Sequence, residues 1–257
     1  MTRVADILQF IETLAPANLK MDWDNVGLLC GSRNTPVTKI LVALDPFEGV
    51  CKEAAAMEAE LLVTHHPLIF RATKAITDDT SVGRSILTLC EHGISAINAH
   101  TNLDCAEGGV NDVLAARLGL EDIEVVLSHD GHSLLRMGDV PEQALEDFLS
   151  DVQCNLGCAG LRYVDGGKPV RKVAVGGGSC SDAILDALHA GCDTFVTADV
   201  RYNTFWDAHD LGINLIDAGH FATENPIVAV LAEKIAAAFP NVEVKISETH
   251  TDCMKYY

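Results

Sequence analysis

The chain has 257 residues, 48% of them hydrophobic, with 37 acidic against 18 basic side chains and a formal charge of −19. That length accommodates one large or two smaller α/β domains, and the apolar content is ample for a core. The acidity argues against a nucleic-acid binder, which needs a surplus of phosphate-neutralising cations, and fits a solvated cytoplasmic surface.

The first segment, MTRVADILQFIETLAP, sets Val4, Ile7, Leu8, Ile11 and Leu14 at helical spacing. It predicts an amphipathic helix on a core, not an apolar leader. No uninterrupted apolar run approaches the ~18 residues of a membrane span. Asp24-Asn25 then leads through a loop into the apolar Val26-Gly27-Leu28-Leu29; it either lines a cleft or simply makes a turn. Further strands are expected at 39–44, 61–64, 94–99, 173–175, 194–197 and 213–216. Helical patterns separate them. Asp45-Pro46 reads as N-cap and first helical residue, and Asn225-Pro226 opens a helix through Ala238. Gly93, Gly119 and Gly191 close three others. Alternating β and α elements predict mainly parallel sheets covered by helices on both faces, a three-layer α/β arrangement.

The chain also repeats itself. TKILVALDP at 38–46 matches RKVAVGGGS at 171–179, and at the same offset LLVTHH at 61–66 matches TFVTAD at 194–199. HGISAINAH at 92–100 resembles LGINLIDAG at 211–219. Two duplicated α/β halves are expected, 1–125 and 126–257. The stretch at 121–172 differs in character: HSLLRMGDV and LRYVDG look like hairpin strands around a helix at 141–156.

Nine cysteines at scattered spacings argue against a disulfide framework and for reduced thiols. Cys154 and Cys158 on the predicted helix are a weak redox or metal candidate.

Three segments carry most of the chemistry: LLVTHHPLIF at 61–70, NAHTNLD at 98–104 and DAGHFATEN at 217–225. Each is an apolar run ending in residues able to bind a metal. His65 and His66 close the first, Asp104 the second, His220 and Glu224 the third. Functional groups of open α/β sheets gather at the carboxyl ends of parallel strands, so all five share one kind of edge, one crest per half. Adjacent side chains of a regular strand point to opposite faces, so His65 and His66 converge only if the strand ends there, as Pro67 ensures. Three imidazoles and two carboxylates suffice for two divalent ions, and nitrogen with oxygen donors suits zinc, manganese, iron or nickel. Taken singly, Asp104 reads equally as a cap for a helix near 110–117, and Glu224 as a solvated acid at a helix start. Gly176-Gly177-Gly178-Ser179 is either a phosphate-cradling loop or a tight strand-to-helix turn.

The segments WDNVGLLCG at 23–31, LVTHHPLIF at 62–70, NAHTNLDCAEGGVND at 98–112 and DAGHFATENP at 217–226 resemble the Nif-three-like dinuclear metal-centre proteins, often labelled GTP cyclohydrolase one type two homologues. The resemblance implies a duplicated α/β fold, a two-metal site on His65, His66, Asp104, His220 and Glu224, and a ring-shaped homohexamer. The short connection at 121–172 looks like the family's compact form.

Together these features lead to the expectation of a dinuclear metal-dependent hydrolase acting on a nucleotide-like small molecule. One ion would lower the pKa of a bound water and the other polarise the scissile group. His100 is the candidate proton shuttle, with a structural role as its alternative. The reaction would be purine ring opening, or phosphoester or amide hydrolysis. The rival expectation is a non-enzymatic metal-binding or regulatory scaffold.

Overall fold

The computed structural model describes residues 1–257. The chain divides into two compact units, and the division is not a single cut. The first unit comprises Met1–Ala106 with Ile227–Thr251, the second Glu107–Pro226 with Asp252–Tyr257.

In the first unit, α1 (Val4–Leu14) buries Val4, Ile7, Leu8 and Ile11, the stripe its spacing dictates. There follow β1 (Gly27–Cys30), β2 (Lys39–Ala43), α2 (Glu48–Ala56), β3 (Leu61–Thr64), α3 (Ser81–Glu91), β4 (Ser95–Asn98) and the short α4 (Thr101–Cys105). The second unit carries α5 (Val110–Arg117), β5 (Glu121–Val126), β6 (Leu135–Gln143), α6 (Leu145–Leu156), β7 (Arg162–Val164) and β8 (Val170–Val175). It continues through α7 (Ile184–His189), β9 (Thr194–Thr197), α8 (Tyr202–Leu211), β10 (Asn214–Asp217) and α9 (His220–Glu224). Then α10 (Pro226–Ala238) and β11 (Glu243–Ile246) return the chain to the first unit.

The first sheet runs β1-β4-β3-β2-β11. All its neighbours are parallel except β1, which lies antiparallel to β4. The second runs β5-β6-β8-β9-β10-β7, with β8, β9 and β10 parallel and the outer three strands antiparallel. Each unit thus has a parallel core of three successive strands, and the molecule is built of two similar α/β halves. All four residues of β3, and all four of β9, are buried, as strands covered on both faces require. Leu62, with Val50 and Ala54 of α2 and Ile86 and Leu89 of α3, forms one layer of the first core. No helix is long and apolar enough to cross a membrane.

Three local expectations are corrected. The helix expected at 141–156 begins only at Leu145; Pro141 lies within β6. It is tolerated because the β6–β8 pairing is interrupted between Asp139 and Gln143, so no ladder bond is lost there. LRYVDG does not form a hairpin with HSLLRMGDV: β7 pairs with β10 instead. Asp45 is not a helix cap, because α2 starts at Glu48 with Phe47 as its N-cap.

One buried charge stands out in the second unit. Arg136 is 2% exposed and grips Asp112 with two bonds, Nε to Oδ1 at 2.6 Å and Nη2 to Oδ2 at 3.1 Å. Its Nη1 donates to the carbonyls of Ser133 and Leu135. A buried guanidinium survives only with such compensation.

Candidate metal centre

In the first unit the site grows from the ends of β3 and β4. His66 N–H donates to the Leu44 carbonyl just past β2 at 2.9 Å, and Thr64 Oγ1 donates to the His66 carbonyl at 2.7 Å. Pro67 follows and offers no further donor. The two rings then lie with centroids 4.9 Å apart, and His100 joins them at 5.3 and 5.5 Å. One ring nitrogen from each of the three lies within 4.8 Å of the others, a spacing a metal ion could bridge. Asp104, 8% exposed on α4, brings Oδ1 to 3.5 Å from His65 Nε2. Gly109, not Asp104, is the N-cap of α5, which removes the capping alternative.

Each of these imidazoles is held from behind. His65 Nδ1 is 2.9 Å from the Ala99 carbonyl oxygen. His66 Nδ1 is 2.7 Å from Asp45 Oδ1, and His100 Nδ1 is 2.8 Å from Asp24 Oδ1. An oxygen that only accepts obliges Nδ1 to donate, so in the neutral ring the lone pair resides on Nε2. That is the tautomer a metal ligand needs, fixed as such ligands usually are by an outer oxygen. Asp45 and Asp24 are built for the task. Asp45 Oδ2 takes a second bond from His250 Nε2 at 2.8 Å. Asp24 accepts from the Thr101 amide and hydroxyl. Burial by itself would raise both carboxyls, but these donors hold them well below the usual carboxylate range.

In the second unit His220 and Glu224 stand one turn apart on α9, with His220 Nε2 2.9 Å from Glu224 Oε2. Glu224 is 4% exposed, so it is no solvated acid. His220 Nδ1 meets Asp199 Oδ2 at 2.7 Å. Burial would lower the His220 pKa, yet the two flanking carboxylates push it up to about 10. The bond to His220 holds the Asp199 carboxyl below its ordinary value. This pair of carboxylates selects for positive charge at the imidazole, whether supplied by a proton or by a metal ion.

The glycine loop after β8 is part of the same construction. Gly176 N–H donates to Val196 O, Gly177 N–H to Asn111 Oδ1 and Gly178 N–H to Thr223 Oγ1. All three donors are committed within the protein, so the loop is a tight turn and not a phosphate cradle. Gly178 has φ +60°, and a Cβ there would lie 3.1 Å from His220 Nε2 and collide with Glu224 Oε1. The absent side chain is what lets Glu224 reach its place.

All six candidates from the sequence fall into these two clusters: His65, His66, Asp104 and His100 in the first unit, His220 and Glu224 in the second. The supporting carboxylates Asp45 and Asp199 were missed, and Asp24 was noted only as lining a cleft or turn. The Cys154/Cys158 candidate gains nothing: none of the nine cysteines is in a disulfide, and Cys158 Sγ points to the Gln153 carbonyl at 4.0 Å.

Residues 2–253 match the family model described as Duf34/NIF3 (NGG1p interacting factor 3). A Clostridium perfringens protein named GTP cyclohydrolase 1 type 2 homolog is 38% identical over 260 residues, covering 99% of either chain. A Lactococcus lactis protein of the same name is 31% identical over 254 residues, covering 97% of this chain and 98% of its own. The solved structure of a Bacillus cereus protein related to NIF3 superposes with a TM-score of 0.92 at 26% identity, covering 100% of this chain and 99% of that one. With both sequence and fold matched end to end, the chain belongs to the Duf34/NIF3 family.

Proposed function

We propose that the protein holds two divalent transition-metal ions, with His65, His66, Asp104, His220 and Glu224 as ligands, and works as a metal-dependent hydrolase on a nucleotide-like small molecule. The observation that carries this is the uniform treatment of the imidazoles. Each turns Nδ1 to an oxygen acceptor, three of the four being carboxylates, and so offers Nε2. Mixed nitrogen and carboxylate donors suit zinc, manganese, iron or nickel.

When bound, such ions supply Lewis acidity, which activates water and polarises the group attacked. The chain's own residues do the rest. Asp45 and Asp199 orient the ligand rings of His66 and His220. His100, held by Asp24, keeps Nε2 among the ligand rings and is placed to take or return a proton. Trp23 and Phe70 stand at its side, each with its ring centroid 6.1 Å from the His100 ring. A nucleotide fits because the ions would offset phosphate charge in a chain of net charge −19. The name shared by the curated relatives, GTP cyclohydrolase 1 type 2 homolog, points the same way. Assembly is proposed as a homohexameric ring. A cytoplasmic setting agrees with nine cysteines of which none is in a disulfide.

The test is metal content followed by turnover. Protein purified without chelator should carry close to two metal equivalents per chain, and His65→Ala should lose metal and turnover together. If fully metallated protein leaves GTP, phosphoesters and cyclic amides untouched, the hydrolase is refuted and a metal-binding scaffold takes its place. Light scattering should give a mass near six chains; a monomer would refute the ring.

A further inference from the structure

Away from the candidate metal centre, the first unit holds two thiols in contact: Cys30 Sγ lies 3.8 Å from Cys90 Sγ. The contact is built by the fold. Leu28 pairs with Ile97 and Cys30 with Ala96, so Leu29 is an extra residue in β1. A regular strand would send Leu29 and Cys30 to opposite faces. The bulge lets both pack on the α2/α3 side of the sheet. Cys90 sits in the last turn of α3, next to the fully buried Leu89 that anchors that helix. The backbone beyond Cys30 is pinned as well: Gly31 passes so close to Ser95 that no Cβ would fit, and Ser32 N–H donates to Ser95 Oγ.

We propose that Cys30 and Cys90 are a redox-active dithiol that takes a two-electron oxidant, a peroxide or a small-molecule disulfide, and closes into an intrachain disulfide tying edge strand β1 to α3. The two sulfurs have unequal roles. Cys90 is exposed and meets the oxidant. Cys30 is half-buried, and burial together with the neighbouring Cys90 thiol pushes its pKa up to about 12, so it waits as the protonated partner. With hydrogen peroxide, the Cys90 thiolate attacks one oxygen, the O–O bond breaks, and hydroxide leaves a sulfenic acid on Cys90. The Cys30 sulfur then attacks the Cys90 sulfur. The S–O bond breaks, and the oxygen leaves as water with the Cys30 proton. The two thiols have given two electrons to the peroxide, which ends as two waters. Bond formation requires the sulfurs to approach by ~2 Å.

The test uses the chain with its three other solvent-accessible cysteines replaced (C154S, C158S, C253S), treated with hydrogen peroxide or oxidised glutathione, alkylated and mapped by mass spectrometry. The expected product lacks two alkylatable thiols and contains Cys30 covalently linked to Cys90. Dithiothreitol should restore both thiols. C30S should stop at a sulfenic acid or glutathione adduct on Cys90, and C90S should form no link. The oxidised chain should melt at a higher temperature than the reduced one, because the link closes a loop across the unit. A Cys90 that proceeds to sulfinic acid or a stable glutathione adduct with no link to Cys30 would overturn the proposal. So would a link that survives in C90S. Metal content need not change in any arm, so the outcome is separate from that of the metal assignment.

Discussion

Replacing Gly178 by alanine should detach Glu224 from the site while leaving the fold in place. The added Cβ would overlap Glu224 Oε1 and fall 2.9 Å from Glu224 Cδ and 3.1 Å from His220 Nε2. The backbone has nowhere to retreat. Its N–H is bound to Thr223 Oγ1 at 3.0 Å, and its carbonyl accepts from Cys180 N at 2.9 Å and Ala198 N at 3.0 Å. The glutamate must therefore move. Left-handed backbone costs alanine about 1–2 kcal/mol. Crowding a buried side chain adds about 1–3 kcal/mol. Together these lower the melting temperature of a chain this long by roughly 5–15 °C. If Glu224 is a ligand as proposed, displacing it should weaken metal binding by at least the ~10–100-fold seen when outer-sphere support is lost. Gly157→Ala is the control, since Gly157 has φ +65° at the end of α6 and no atom within 4 Å of an added Cβ. It suffers the conformational cost alone and should keep its metal. Differential scanning fluorimetry in chelator reads the stability, and inductively coupled plasma analysis after dialysis reads the metal. Equal metal retention in both variants, with equal melting shifts, would refute the role given to Gly178.

Asp45→Ala and Asp199→Ala should each weaken metal binding by ~10–100-fold with an unchanged circular dichroism spectrum, because each removes the oxygen that orients a proposed ligand imidazole; wild-type affinity in both would remove the supporting role. Asp112→Ala should destabilise the protein by about 3–5 kcal/mol in urea denaturation, since it strips the buried Arg136 of its carboxylate; a loss below ~1 kcal/mol would show that the carbonyls of Ser133 and Leu135 suffice. Glu53 supplies a pH dependence: burial alone would raise its carboxyl, but bonds from Ser247, Glu248 and Thr249 hold it below the ordinary 4.5. A depressed carboxyl contributes stability that is complete above its unfolded value and is lost as the pH falls through its folded one. Glu53→Gln should therefore lie below wild type at neutral pH, with the gap closing as the pH drops under 4.5; a constant gap would contradict the assignment.

What was legible in the sequence follows from what is local. β3 and β9 show as unbroken apolar runs because both their faces are covered, and their ends coincide with the expected bounds. His65, His66, Asp104, His220 and Glu224 show because they follow such runs directly. Their supports do not, because each lies far along the chain from its imidazole. Asp45 is separated from His66 by 21 positions, Asp199 from His220 by 21, and Asp24 from His100 by 76. No helical or strand period connects such distances; only the pairing of neighbouring strands does. Asp45 was also disguised, since an Asp-Pro step ahead of a helix carries a capping signal even when the helix begins at Glu48. At Pro141 the helical pattern overran its true start because a broken ladder let proline remain in a strand.

The duplication explains why the two halves look alike in sequence while their site residues do not. At the offset that aligns 38–46 with 171–179, Asp45 corresponds to Gly178, and at the same offset His66 corresponds to Asp199. In the first unit the position after β2 supplies a carboxylate and the position after β3 the imidazole it supports. In the second unit the position after β9 supplies the carboxylate, Asp199, and its imidazole comes from α9 beyond the neighbouring strand β10. The position after β8 gives up its side chain, and Glu224 fills the space a Cβ at Gly178 would need. A carboxylate–imidazole pair is thus kept at the carboxyl edge of each parallel core, while the strand ends that furnish it have changed. Restoring the first unit's residue in the second, as Gly178→Asp, would bring a third carboxylate beside His220, against Glu224, in left-handed backbone. Duplicated strand ends constrain where side chains can meet; in the second unit Glu224 comes beside His220 only because position 178 carries no side chain.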